Sequence, residues 1–231
     1  MTSADPILYL DEATTGWLLA RVDPVGVAAR VLADPPADLV ATSPPAGDGL
    51  VVVADPAARR VVCVISSRRF REVCVAGAVS ALARSLAGPL PVVCVLGDGR
   101  REVSCVEHLL RSVPGIVQLV VCRSGPVPVS PEPDPRGGHG ATVAVTGSVR
   151  EALEGAELVL IIAPPRDALD PRWLARDAAV VDATGVVDLA PLGARLSHAV
   201  SAAELAVVAT GLAAAAYRAA LSHVVGVRLP R

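Results

Sequence analysis

Lysine and asparagine are absent from this chain of 231 residues, and all 21 basic residues are arginine. Without lysine, no side-chain amine can form a Schiff base with a carbonyl substrate, which excludes that class of covalent catalysis. Net charge is also nearly absent, because 23 acidic residues oppose the 21 basic ones and leave a formal charge of -2. This balance offers no positive surface for a phosphate backbone, so no nucleic-acid partner is expected.

Long apolar runs are missing as well. The most apolar segments, such as Leu158–Ile162, are short and end at prolines, whereas a membrane-spanning helix needs about 20 apolar residues. No basic amphipathic stretch indicates a membrane surface. Residues 1–6 show no basic region followed by an apolar run, so no signal peptide is predicted. We therefore expect a cytoplasmic protein without a membrane partner.

Neither the cysteines nor the histidines have metal-ligand spacing. Three of the five cysteines lie in valine-rich runs and none forms a CxxC motif. Buried thiols that pack as small apolar groups are therefore favoured over a metal site or a redox pair. These residues are Cys63, Cys74, Cys94, Cys105 and Cys122. The histidines, His108, His139, His198 and His223, are isolated, so surface or structural roles and no metal site are expected.

The first part of the chain predicts two short helices, a hairpin and a longer helix. Asp11 and Asp23 have the pattern of helix N-cap residues, and proline follows the second of them at the first helical position. The β-rich runs Leu50–Ala54 and Arg60–Ile65 flank a short polar turn and predict a hairpin. The stretch from Arg68 to Leu86 predicts a long or broken helix.

From Pro91 onward, strands alternate with helices, which is typical of parallel β-α-β units. Strands are predicted at Pro91–Leu96, Val117–Cys122, Thr142–Val145, Glu157–Ile162 and Ala178–Ala183, with helices at Arg100–Val113 and after Ser148. The stretch from Gly125 to Gly140 holds five prolines and cannot form a helix, so the crossover there is expected to be irregular. The alanine-rich C-terminal part predicts a helix after Gly211.

The segment LGDGRRE follows a predicted strand and opens a helix, which is the context of a phosphate-binding turn. Gly97 would permit the turn, and Gly99 would let the backbone approach a pyrophosphate. Glu102 stands where a third small residue is usual, and its carboxylate either repels phosphate or satisfies the helix N-terminus. Arg100 and Arg101 are candidate phosphate ligands. The alternative is a structural strand-to-helix turn with a solvated first helical turn.

Two other strand ends complete the candidate cofactor site. Arg123 and Ser124 end the second strand, where NAD sites usually offer an acidic residue to the ribose. An arginine-serine pair suits the 2′-phosphate of NADP instead, although an exposed arginine at a strand end is an equal alternative. Ala163 and Pro164 follow a later strand, where a nicotinamide would lie.

Several segments in this order resemble the ornithine cyclodeaminase/mu-crystallin family. GLVVVADPAARRVVCVISSRRFREVCVAGAVSALA is similar to its hairpin and following helix, and VVCVLGDGRRE to its glycine-rich turn. SVREALEGAELVLIIAPP and LDPRWLARDAAVVDATG are similar to its later strands, and ATGLAAAAYRAAL to its C-terminal helix. The resemblance implies an α/β fold with a Rossmann-type parallel-sheet domain at residues 89–199. A smaller α+β substrate and dimerisation domain would combine residues 1–88 and 200–231. NAD or NADP and a homodimer are implied as well.

The chain departs from the family at its chemical positions. The family's substrate-binding arginine corresponds to Val75, or to Cys74 if the alignment slips by one residue. The acidic residue after the last strand corresponds to Val187, with Asp188 one residue further on. An amino-acid substrate needs a cation for its carboxylate, and proton transfer needs a positioned acid or base. Catalytic residues therefore stay unassigned.

These departures favour a catalytically degenerate protein that serves as a dimeric accessory or scaffold for a protein or peptide partner. The alternative is a divergent NAD(P)-dependent oxidoreductase, of the imine reductase or the amine or amino-acid dehydrogenase type. Such an enzyme would prefer NADP and act on a C–N bond. The cofactor is accordingly NADP, NAD or none.

Overall fold

Two β-sheets organise this chain, one in each of two units. A computed structural model describes residues 6–36, 38, 40–42, 49–86, 92–97, 101–123, 140–192 and 196–229. One unit combines residues 1–78 with residues 202–231, and the other comprises residues 79–201. The proline-rich insert at 125–139, with His139, lies outside the described residues.

The described part of the chain forms the following helices and strands. The strands are β1 (Ile7–Leu10), β2 (Val40–Thr42), β3 (Leu50–Asp55), β4 (Arg60–Ser66), β5 (Val92–Gly97), β6 (Gln118–Arg123), β7 (Thr142–Thr146), β8 (Leu158–Ile161), β9 (Ala179–Asp182), β10 (Leu196–Ala199) and β11 (Val227–Leu229). The α-helices are α1 (Glu12–Leu19), α2 (Pro24–Ala33), α3 (Ser67–Ser85), α4 (Arg101–Ser112), α5 (Val149–Leu153) and α6 (Ala202–His223).

The first unit contains a mixed sheet in the order β11-β1-β4-β3-β2. Its centre is the predicted hairpin, in which β3 and β4 pair antiparallel with Val52 opposite Val64. β-Branched side chains suit such a pleated, half-buried surface, and Val51, Val53 and Ile65 face the core. The hairpin prediction is confirmed, whereas the short strands β1, β2 and β11 were not predicted from the sequence.

Helix caps in this unit follow the sequence. The Asp11 carboxylate accepts the Thr14 N–H at 2.7 Å, and the Asp23 carboxylate accepts the Gly26 N–H at 3.0 Å. Each bond satisfies a backbone donor that the first helical turn leaves without a partner. Both predicted N-caps are therefore confirmed, and Pro24 occupies the first turn of α2.

Helix α6 is longer than the sequence predicted, because it begins at Ala202 and runs through Gly211 without a break. A Cβ at Gly211 would lie 2.5 Å from Cγ1 of Val31, so this glycine permits close contact with α2. By length and composition alone, α6 could cross a membrane. Its buried face, which includes Val208 and Leu212, packs on α2 and β2, as expected of a core helix.

The second unit contains a six-stranded sheet in the order β10-β9-β8-β5-β6-β7, and every neighbouring pair is parallel. Its inner strands are valine- and leucine-rich and buried, as expected when both faces of a sheet are covered. β6 and β7 follow β5 on one side, while β8, β9 and β10 continue on the other. This is the doubly wound order of dinucleotide-binding domains, and it confirms the predicted α/β class.

Candidate functional site

In an open parallel sheet, ligands bind beyond the carboxyl ends of the strands where the strand order reverses. Here that point lies between β5 and β8. Gly97 ends β5 directly opposite Arg123, which ends β6. The Ala163 N–H, just beyond β8, donates to the Leu96 carbonyl of β5 at 3.2 Å. The structure therefore brings Gly97, Arg123 and Ala163 together at the carboxyl ends of the strands. Pro164, which follows Ala163, is exposed.

Part of the predicted site lies outside the described residues. This applies to Gly99, Arg100 and Ser124, and to the side chain of Arg101, whose backbone begins α4. The predicted roles of these residues in holding phosphate stay predictions. The geometry of the site is thus carried by Gly97 and Arg123, together with Glu102.

Glu102 lies in the first turn of α4, and its side chain is completely buried. A Cβ built on Gly97 would lie 2.7 Å from Oε2 of Glu102 and 3.0 Å from its Cβ. The side chain of Glu102 therefore occupies the space directly beside the last residue of β5. The predicted alternative of a solvated first turn does not describe this residue.

The carboxylate of Glu102 forms an ion pair with Arg123. Nε of Arg123 lies 2.7 Å from Oε1 of Glu102, and the arginine side chain is only 11% exposed. Burial weakens solvent screening and strengthens the attraction between the charges, while the α4 N-terminus adds favourable partial positive charge. The alternative of an exposed arginine at this strand end is wrong, because the side chain is largely buried and paired with Glu102.

The 2′-phosphate of NADP does not fit at Arg123 while Glu102 is paired with it. The cation at the end of β6 already binds an internal anion, and the space beside Gly97 already contains a carboxylate. A phosphate brought to Arg123 would meet the Glu102 charge at close range in a weakly screened environment. The predicted role of Arg123 in binding a 2′-phosphate therefore requires Glu102 to move or to be replaced.

Carboxylates near the end of β9 bind their own loop. Asp182 is buried, and its Oδ1 accepts the Thr184 N–H at 2.7 Å and the Thr184 hydroxyl at 2.6 Å. Its Oδ2 accepts the Val187 N–H at 3.1 Å. Asp188, the candidate substitute for a catalytic acid, accepts the Ala190 N–H at 3.1 Å. Both carboxylates therefore organise the turn after the strand.

The position of a substrate cation is apolar. Val75 is half-buried in the middle of α3, and the neighbouring Cys74 is buried. Neither side chain can neutralise a substrate carboxylate. This agrees with the sequence comparison at these two positions and leaves the substrate-binding arginine of the resembled family without a counterpart there.

All five cysteines are free and buried. Burial raises the pKa of the Cys63 and Cys105 thiols to about 12, and it raises those of Cys74, Cys94 and Cys122 as well. A thiol that stays protonated at neutral pH is a poor nucleophile. Packing as small apolar groups, the favoured interpretation from sequence, is confirmed. Within the described ranges, no group of three or more acidic, cysteine or histidine residues could hold a metal ion.

A separate surface cavity of about 350 Å³ is lined by Arg150, Glu154, Arg172 and Trp173. Arg172, an exposed cation of this cavity, is already bound to Asp170, with Nε 3.0 Å from both carboxylate oxygens. Arg172 and hydrogen bonding to it lower the pKa of Asp170 to about 2. Balanced charges and wide exposure make this cavity a weaker candidate than the strand ends.

Known protein structures share this architecture. An archaeal alanine dehydrogenase dimer with bound NAD is 14% identical, with a TM-score of 0.68 over 97% of this chain and 99% of the other. A lysine cyclodeaminase is 12% identical, with a TM-score of 0.68 over 98% and 96% of the two chains. The chain has the ornithine cyclodeaminase/mu-crystallin-like fold. This confirms the fold implied by the resemblance in sequence.

A third mu-crystallin-like structure is the iminosuccinate reductase of Paracoccus denitrificans in complex with NAD⁺. It is 11% identical, with a TM-score of 0.70 over 98% of this chain and 100% of the other. No family model matches this sequence, and no curated protein is similar to it. Identities this low establish the mu-crystallin-like fold and not the chemistry, which depends on individual site residues.

Proposed function

We propose that this protein is a catalytically degenerate form of the mu-crystallin-like fold that serves as a dimeric accessory or scaffold for a protein or peptide partner. The observation that carries the proposal is the buried ion pair between Glu102 and Arg123. It places an internal carboxylate on the cation that the 2′-phosphate of NADP would need. A domain without its cofactor loses hydride transfer, since the protein supplies mainly orientation and electrostatics for that chemistry.

Loss of the other chemical groups supports the same conclusion. Val75 cannot hold a substrate carboxylate, and the carboxylates of Asp182 and Asp188 accept hydrogen bonds from their own loop. Substrate binding, proton transfer and cofactor binding are each altered at separate elements. Independent losses at several elements are expected when selection on an ancestral reaction is relaxed.

The first unit carries features of an interaction surface. Exposed apolar side chains cluster around the end of α6 and along β11: Leu221, Val224, Val227 and Leu229. Strand β11 is also an edge strand, and edge strands present unpaired backbone groups to other chains. We propose that residues 1–88 and 200–231 form the dimerisation domain. The five free, buried cysteines suit a reducing compartment, in keeping with a cytoplasmic location.

The test is nucleotide binding by the wild-type protein. A cofactor at 100 times its Kd stabilises a folded protein by roughly 2.7 kcal/mol, which a thermal-shift titration detects. We expect no shift with NADH or NADPH up to millimolar concentration, and a mass of twice one chain by light scattering. A saturable shift accompanied by turnover of an imino or amino acid would overturn the proposal. A monomeric mass would remove its dimeric part.

A second candidate is a divergent NAD(P)-dependent oxidoreductase acting on a C–N bond. The fully parallel sheet with Gly97, Ala163 and Pro164 at its switch point favours it. With NADP as the cofactor, this function requires Glu102 to leave Arg123 when the nucleotide binds. The same titration separates the two candidates, because an enzyme of this kind must show saturable binding of NADPH or NADH.

A further inference from the structure

We propose that the Glu102 carboxylate occupies a latent 2′-phosphate site on Arg123, so that replacing this one residue creates binding of NADPH in preference to NADH. The inference rests on the proposed function and names the residue that keeps a 2′-phosphate from Arg123. On this inference Glu102, at the third position of the glycine-rich turn, determines whether Arg123 can bind a 2′-phosphate. The distant loops do not.

The first argument is the position of Arg123. It ends the strand next to β5, in register with Gly97, which is where doubly wound domains place the group that recognises the adenosine ribose. An arginine at such a strand end accommodates the 2′-phosphate of NADP. The guanidinium thus stands in a suitable place, but its Nε faces the Glu102 carboxylate at 2.7 Å.

The second argument concerns Gly97. In a nucleotide-binding turn the first glycine permits the tight turn before the helix. Here a Cβ at Gly97 would lie 2.7 Å from Oε2 and 3.0 Å from Cδ of Glu102. Space around this glycine is therefore used by the protein's own carboxylate. The first glycine of the turn is therefore present, but the space beside it is filled by the side chain of Glu102.

The third argument is electrostatic. Glu102 is completely buried and the Arg123 side chain is 11% exposed, so the pair is largely removed from water. Removing the carboxylate leaves a guanidinium in need of an anion, and phosphate accepts charge-assisted bonds from arginine with good geometry. NADPH carries this additional phosphate and NADH does not. Preference between the two nucleotides is therefore the signature of the latent site.

The experiment compares wild type, Glu102→Ala, Glu102→Gln and the double variant Glu102→Ala with Arg123→Met. Glu107→Ala is the matched control, because Glu107 is an exposed glutamate on the same helix. Binding of NADPH, NADH and 2′,5′-ADP is measured by calorimetry, and folding by circular dichroism. Glutamine keeps the volume of Glu102 and removes its charge, so it serves if the alanine variant does not fold.

We expect Glu102→Ala to bind NADPH at least tenfold more tightly than wild type and at least tenfold more tightly than it binds NADH. Glu102→Gln should gain less affinity for NADPH but keep the preference for NADPH over NADH. The double variant should lose this preference. A folded Glu102→Ala or Glu102→Gln protein without any gain refutes the inference and leaves the proposed function standing. Tight binding by wild type accompanied by turnover of an imino or amino acid refutes the proposed function, whereas a further gain in Glu102→Ala would still support a restraining role for Glu102.

Discussion

Replacing Arg123 by methionine removes one partner of a buried ion pair and leaves the Glu102 carboxylate in place. The carboxylate is completely buried beside Gly97, and the arginine that neutralises it is itself only slightly exposed. Breaking a buried pair in this way costs about 3–5 kcal/mol, because the remaining charge loses its oppositely charged neighbour. Domains of this kind have total stabilities of about 5–15 kcal/mol, so the loss is a large fraction.

The assay is thermal and denaturant unfolding of the second unit. The chain has two tryptophans, Trp17 in the first unit and Trp173 in the second. In a Trp17→Phe background, Trp173 fluorescence therefore reports the second unit alone. With roughly 2–4 °C lost per kcal/mol, the expected decrease in Tm is roughly 6–20 °C.

Two control variants define how the result is interpreted. Arg111→Met removes an exposed arginine from α4 and should change stability by no more than about 0.5 kcal/mol. The double variant Glu102→Leu with Arg123→Met exchanges the pair for apolar groups and should recover most of the loss. If Arg123→Met unfolds like Arg111→Met, the argument that the buried pair holds the strand ends together is refuted.

Three further predictions test the same strand ends and the buried thiols. Gly97→Ala should destabilise the protein by about 1–3 kcal/mol through overpacking against Glu102. In a double-mutant cycle, Glu102→Ala should restore only part of this stability, since Cβ of residue 102 stays 3.0 Å from the new Cβ. Asp182→Ala should lower the free energy of unfolding in urea by about 1–3 kcal/mol, because it leaves loop N–H donors without their acceptor. A decrease no larger than that of a surface substitution would contradict the role of Asp182 in organising the loop. Since burial raises the pKa of Cys63 and Cys105 to about 12, native protein at pH 8 should not react with a thiol reagent until it unfolds, whereas rapid native labelling would contradict that burial.

The fold was largely predictable from local patterns. Valine-rich runs separated by a polar turn predicted the hairpin of β3 and β4, and the alternation of strands and helices predicted the parallel sheet. Capping aspartates marked the starts of α1 and α2. Short strands such as β1 and β11 were missed, because three or four residues hold too little periodicity and form only by pairing with distant partners.

The candidate site was predicted less completely. Gly97 and Arg123 were recognised by their positions at strand ends, and the structure places them opposite each other. The burial and pairing of Glu102 were not predictable, because Arg123, with which it forms an ion pair, is 21 residues away along the chain. From sequence, a glutamate in the first turn of a helix is equally compatible with solvent and with a buried contact.

Sequence alone determined the class of fold and the helix caps, since each depends on residue type within a local window. Tertiary structure alone decided that Glu102 is buried against Gly97 and paired with Arg123. The physical reason is that burial and charge neutralisation depend on which elements the sheet brings together, and β5, α4 and β6 meet only when the parallel strands pair. An arginine that suggested a phosphate-binding role is, in the folded chain, paired with a glutamate of helix α4.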